Sequence, residues 1–214
     1  MKERGMIFNA EMVNAILSGR KTQTRRVLAT YQDAVKFCPE WDVNGKQIFI
    51  VLGEKDHTGM NPVITAIPCP FGQQGDRIWV RETFRVHSRA TDVATLVYRA
   101  SVRNSWTEQT HRVPVAVCNK PATPEKWTPS IHMPRWASRI LLEITDVRVE
   151  RLRDLSEEDA KSEGIIPSSG GVPPGWEYRI NFRDLWMDIY GTNNWAANPW
   201  VWVIEFKRVE GAAL

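Results

Sequence analysis

No unbroken apolar run in this chain exceeds five residues, and residues 48–52 form one such run. A bilayer-spanning helix needs about 20 predominantly apolar residues, so each hydrophobic segment here has the size of a buried strand or of one face of a short helix. The core must therefore be assembled from many short elements. Residues 139–152 alternate apolar and polar side chains for most of their length, the mark of one or two half-buried strands. Residues 200–206 are strongly β-prone, and shorter β signals fall at 47–52, 77–82, 94–98 and 113–117. Three segments carry helical spacing instead. The first places Met12, Val13, Ile16 and Leu17 between an Asn9 N-cap and Gly19, with Phe8 and Val13 spaced as a hydrophobic staple. The second follows Ser156 with an acidic first turn, Glu157, Glu158 and Asp159, and ends at Gly164. The third repeats Phe182, Leu185, Trp186 and Ile189 and closes at Gly191. The rest of 27–75 reads as irregular, residues 121–134 as a Pro-rich connection and 167–175 as a loop. These elements predict a mixed α+β fold over 1–214, a single domain without repeats, with its strands curled into a barrel.

Composition narrows the function classes. Of 214 residues, 43% are hydrophobic and 25% charged, which excludes a disordered chain, and 13 Gly with 13 Pro excludes a collagen-like one. The net charge of +3, from 28 basic and 25 acidic residues, argues against an extended surface for duplex nucleic acid. Cys38, Cys69 and Cys118 are odd in number and widely spaced, so reduced thiols and a cytoplasmic setting are expected. Asn9, Glu11 and Asn14 interrupt the one candidate leader region, and no secretory signal is expected. Ten Trp against seven Phe is unusual; a Trp serves either as a wide core filler or as a stacking platform for bases.

Four His and the three Cys show no metal-ligand spacing, no Gly-rich phosphate loop is complete, and no serine-nucleophile elbow is present, so neither metal nor cofactor is expected. The best chemical lead is the basic stretch at 20–26, where Lys21 and Thr24 stand among Arg20, Arg25 and Arg26. It is either a solvated charged turn or a site. Clustered cations lower a lysine's pKa, and a neutral lysine beside a hydroxyl is a recognised way to activate a nucleophile. Arg81 and Glu82 end a β segment and offer either a strand-end ion pair or a pocket carboxylate. Residues 126–139 interleave three cations with Trp127, His132 and Trp136, a pattern that suits single-stranded nucleic acid and equally an ordinary surface connection.

Gly19-x-Lys21-x-x-Thr24-x-Arg26 resembles the G-x-K-x-x-(E/T)-x-R signature of the ASCH family, whose fold is a PUA-like β-barrel. The likeness continues in order through Gly75-Asp76 and the strand holding Ile78, Trp79 and Val80. It runs on through 141–149, the acidic segment from Leu155 to Glu163, Asp188-Ile189-Tyr190, and 203–207. In detail the chain is most similar to small bacterial ASCH enzymes that hydrolyse N4-acetylcytidine, and its segment 129–139 to longer ASCH proteins of phages and prophages. The resemblance implies a PUA-like barrel with flanking short helices and insertions near 27–70 and 83–135. It further implies an amidohydrolase acting on an N4-acylated cytidine-type nucleoside, with Thr24 as nucleophile, Lys21 as base and Glu163 orienting Lys21. Arg26, Trp79, Arg81, Glu82, His132 and Trp136 are the candidate substrate-binding residues. A non-catalytic reader of single-stranded RNA or of a modified base is the alternative, and a metal-independent ribonuclease the second.

Overall fold

The computed structural model describes residues 1–101, 110–168 and 170–209. Residues 102–109 of the expected 83–135 insertion, Trp106 among them, and Ser169 of the expected 167–175 loop lie outside the described residues. The fold is mixed α+β, as the alternation of short strand and helix signals requires. The chain divides into two compact units that interleave in sequence: Met1–Gly19, Asp76–Glu143 and the chain from Lys207 form unit 1, and Arg20–Gly75 with Ile144–Phe206 forms unit 2.

In unit 1, β1 (Glu3–Ile7) runs parallel to β6 (Arg77–Arg81), and the first residues of β10 (Leu141–Arg151) pair antiparallel with β6, Leu142 opposite Ile78. Gly5 faces Trp79 across the β1–β6 pair, and a Cβ on Gly5 would stand 2.5 Å from the indole, so this strand position admits no side chain. Helix α1 (Ala10–Leu17) follows β1, and the Asn9 side chain accepts from the Met12 amide as the N-cap reading requires. A second sheet, β7 (Phe84–Arg89), β8 (Val93–Tyr98) and β9 (Thr110–Pro114), is an antiparallel meander. Its core gathers Phe84, Val86, Leu96, Tyr98, Val113 and Met133.

In unit 2, β2 (Gln23–Val27) pairs antiparallel with β11 (Trp200–Arg208), and β11 lies between β2 and β10. A second meander is formed by β3 (Lys36–Trp41), β4 (Gln47–Leu52) and β5 (Val63–Ile67), with Pro39 on the edge strand β3, where a missing N–H is tolerated. Helices α2 (Glu157–Ser162), α3 (Glu177–Tyr190) and α4 (Thr192–Ala197) complete the unit. Phe182 and Trp186 of α3 pack with Leu152, Leu155, Ala160, Val201 and Val203. No helix of the described residues is long and apolar enough to cross a membrane.

The expected strands at 47–52, 77–82, 94–98, 139–152 and 200–206 form with small shifts at their ends. The expected strand at 113–117 is displaced to Thr110–Pro114, because Val115 to Cys118 turn back through bonds to Pro114 and Val115 carbonyls. Segment 27–75 is not irregular; it holds the whole β3–β5 meander. Among the described residues no sheet closes on itself into the expected barrel. Three of the described Trp, Trp186, Trp200 and Trp202, are core residues, and Trp41 and Trp176 are exposed.

Candidate active site

Lys21 precedes β2, and in unit 2 the end of α2 is brought against it. Ser156 starts that helix with a capping box in which its hydroxyl accepts from the Asp159 amide while the Asp159 carboxylate accepts from the Ser156 amide. Seven residues after Ser156 the chain reaches Glu163 at the C-cap, and Gly164, at φ +85°, takes the left-handed conformation that ends the helix. Lys21 and Glu163 form an isolated antiparallel bridge, supported by the Thr22 amide donating to the Ser162 carbonyl at 2.8 Å.

The Lys21 ammonium donates to the Glu163 carboxylate at 2.5 Å and to its backbone carbonyl at 2.9 Å. One cation thus answers both the side chain and the negative end of the helix. Lys21 is 2% exposed and Glu163 7%. Burial lowers the Lys21 pKa below its ordinary value; Glu163 opposes this, and Arg26 and Arg25 add to it. The expected pairing of these two residues, 142 positions apart, is therefore present in geometry.

Arg25 holds the other oxygen of Glu163. Its fully buried guanidinium lies 3.5 Å from Glu163 Oε1, 3.2 Å from Glu150 and 3.5 Å from Asp159. It also donates to Gln23 Oε1 at 3.0 Å. Burial opposes ionisation of Asp159, but the Ser156 hydroxyl and amide, then Arg25 and Gln23, hold it at about 2. Arg148 extends the network to Glu150, Asp159 and Glu205. Arg25 was not among the candidate residues of the sequence. Its signal was the alternation of Lys21, Gln23 and Arg25, which places all three on one face.

Within β2 the alternation separates Thr24 and Arg26 from Gln23 and Arg25, although the Arg26 charge still reaches Lys21. Thr24 is 2% exposed and sits opposite Ile204 of β11, and Arg26 sits opposite Trp202. No side-chain hydrogen bond joins Thr24 to Lys21 among the described residues.

The other candidates belong to unit 1. Arg81 donates through Nε to the Ser130 carbonyl at 3.2 Å and through Nη2 to the Ile131 carbonyl, pinning the turn that carries the exposed His132. Its guanidinium also lies over Trp79, 5.4 Å from the ring centroid. Trp136 packs edge-on against Phe84 at 6.3 Å, which gives it a core contact. Glu82 is buried and bound by Arg139, Nε to Oε1 at 2.9 Å and Nη2 to Oε2 at 3.0 Å. Burial raises the Glu82 pKa, and Arg139 opposes the shift. Arg139 lies 57 positions from Glu82 and stacks over Tyr98, whose hydroxyl donates to the Ala137 carbonyl. No local pattern in the sequence marks that partnership. Among the described residues no group of three or more His, Cys, Asp and Glu is arranged to hold a metal ion.

No family model, no curated protein and no solved structure matches this chain.

Proposed function

We propose that the chain is an ASCH-type protein of PUA-like ancestry that hydrolyses the amide of an N4-acylated cytidine-type nucleoside. The observation that carries this reading is the buried 2.5 Å contact between Lys21 and Glu163. Two sequence motifs meet there, and the lysine sits where burial favours its neutral form. A neutral Lys21 takes a proton from the attacking group and returns it to the departing 4-amine, while Glu163 orients the amine. The acyl carbon exchanges its C–N bond for a C–O bond, and the products are the free base amine and a carboxylic acid.

The resemblance names the Thr24 hydroxyl as the attacking group, through an acyl-threonine that water then hydrolyses. Strand alternation favours a second form. In it Lys21 activates water directly, and Thr24 packs on the opposite face of β2 beside Ile204. The direct test is incubation of the purified protein with N4-acetylcytidine, following cytidine by chromatography. Cytidine release supports hydrolysis; binding without product supports recognition of a modified base or of RNA instead. A mass-spectrometric search for an acyl adduct on Thr24 separates the two hydrolytic forms.

A further inference from the structure

Among the described residues the three sheets end in six edge strands, β1, β2, β3, β5, β7 and β9. An edge presents unpaired N–H and C=O groups, and proteins blunt it with charges, with proline or with a covering segment. Five of the six are blunted in this way. β1 carries Glu3 and Arg4, β2 carries Arg25 and Arg26, β3 carries Lys36, Pro39 and Glu40, and β9 carries Arg112 and Pro114. β7 is covered, because Phe84 pairs with Thr128 and the Val86 carbonyl accepts from the Thr123 amide at 2.9 Å. β5 has none of these devices. Its sequence, Val-Ile-Thr-Ala-Ile, is uncharged, and among the described residues its backbone ladder is the one to β4 alone. Val63 is 66% exposed and Ile64 51%, and Ala66 is exposed as well.

A strand edge without charge selects a partner by backbone pairing and by the side chains set beside its own. β5 is complementary to itself on both counts. Antiparallel pairing about a two-fold axis at Thr65 sets Thr65 beside the partner subunit's Thr65, Ile64 beside the partner subunit's Ala66 and Val63 beside the partner subunit's Ile67, with no charge opposed to another. The axis stands perpendicular to the sheet, so the face that buries Phe49 and Val51 continues on one side through both copies. The joined sheet then ends at β3 on either side, where Lys36, Pro39 and Glu40 stop further addition, and the assembly closes at two. Pro62 and Pro68 bound the strand, and its five residues span about 17 Å, the scale of a transient contact. We propose that the chain forms a reversible two-fold dimer in which β5 of one copy pairs antiparallel with β5 of the other. Hydrolysis at Lys21 can fail while this pairing holds, and the reverse.

The test is sedimentation equilibrium over a concentration series to about 1 mM, with amide hydrogen exchange read at the same concentrations. The mass is expected to rise from one chain towards two, and exchange within 63–67 to slow as it does. Ala66→Lys sets an ammonium against the partner's Ile64 and should weaken dimerisation at least about tenfold, with the thermal melt kept because Ala66 is exposed. Ile64→Lys, at a second exposed position of the same edge, should act alike. Val43→Lys, at a fully exposed position outside β5, should leave the dimer intact. A single-chain mass across the whole series, a dimer that survives both folded lysine variants, growth beyond two chains, or a dimer with unslowed exchange in 63–67 would each overturn the proposal.

Discussion

Both hydrogen bonds of the Lys21 ammonium go to one residue, Glu163, and this concentrates its energetics. Removing one partner of a buried pair typically costs about 3–5 kcal/mol because a charge is left uncompensated. In Lys21→Met, Glu163 keeps Arg25 at 3.5 Å, so urea melts should show a smaller loss than that range, while cytidine release from N4-acetylcytidine should fall to background. A variant with full turnover would make the pair purely structural. The pH dependence follows from burial. Folded Lys21 releases its proton below the ordinary 10.5 of the unfolded chain. Between those two values the unfolded state binds more protons, so the Lys21 contribution to stability rises with pH. Wild type should therefore gain on Lys21→Met in melting temperature as pH approaches 10.5, and a flat difference would contradict the lowered pKa. Under the water-activated form, Thr24→Ala should retain measurable turnover; an acyl-Thr24 intermediate would restore the threonine form. Sequence reasoning located Lys21 and Glu163 through a resemblance spanning two distant blocks. It took Arg25 only as a cation beside Lys21, and it missed the carboxylate partners of Arg25 and of Arg139 because these are set by strand facing and tertiary contact, not by local pattern.

Helix α2 is the element that delivers Glu163, and its start determines where its end lies. Ser156→Ala removes the hydroxyl that accepts from the Asp159 amide and donates to the Asp159 carboxylate. The expected loss is about 1 kcal/mol, with reduced turnover as the Glu163 end shifts. The same substitution has an acid signature. Asp159 is held at about 2 against an ordinary 3.8, so its stabilisation is present above 3.8 and is lost as pH falls towards about 2. Without the Ser156 hydroxyl, the acid-unfolding midpoint should move to higher pH, as circular dichroism would record. In β1, Gly5→Ala drives a Cβ into the Trp79 indole at 2.5 Å, and overpacking of that kind costs about 1–3 kcal/mol. The elements that were legible beforehand carry strong periodicity or caps: α1, α2, α3, β4, β10 and β11. Of the missed strands, β1 buries only Met6, β3 contains Pro39 and β5 buries no residue, so these three lack the alternation of a half-buried strand. β7 does alternate, with Phe84 and Val86 buried, but over too few residues to stand out.

The whole molecule carries 28 basic and 25 acidic residues, and the basic side chains at its sites are largely answered by acids within the chain. Arg25 and Arg148 face Glu150 and Asp159, Arg139 faces Glu82, and Arg135 and Arg77 face Glu3. A cation already paired inside the protein releases few counterions when a nucleic acid arrives. Non-specific binding of single strands loses affinity with salt at a slope of about −0.7 for each phosphate neutralised. If the chain acts on single nucleosides or nucleotides, one or two cations meet phosphate, and the slope for a single-stranded RNA should lie between about −0.7 and about −1.4. A protein that tracks an RNA backbone would instead neutralise many phosphates and give a slope several times steeper. Fluorescence anisotropy of a labelled RNA between low and physiological salt measures this directly. A steep slope, together with no cytidine release from N4-acetylcytidine, would transfer the function from hydrolysis of a nucleoside to recognition of an RNA strand.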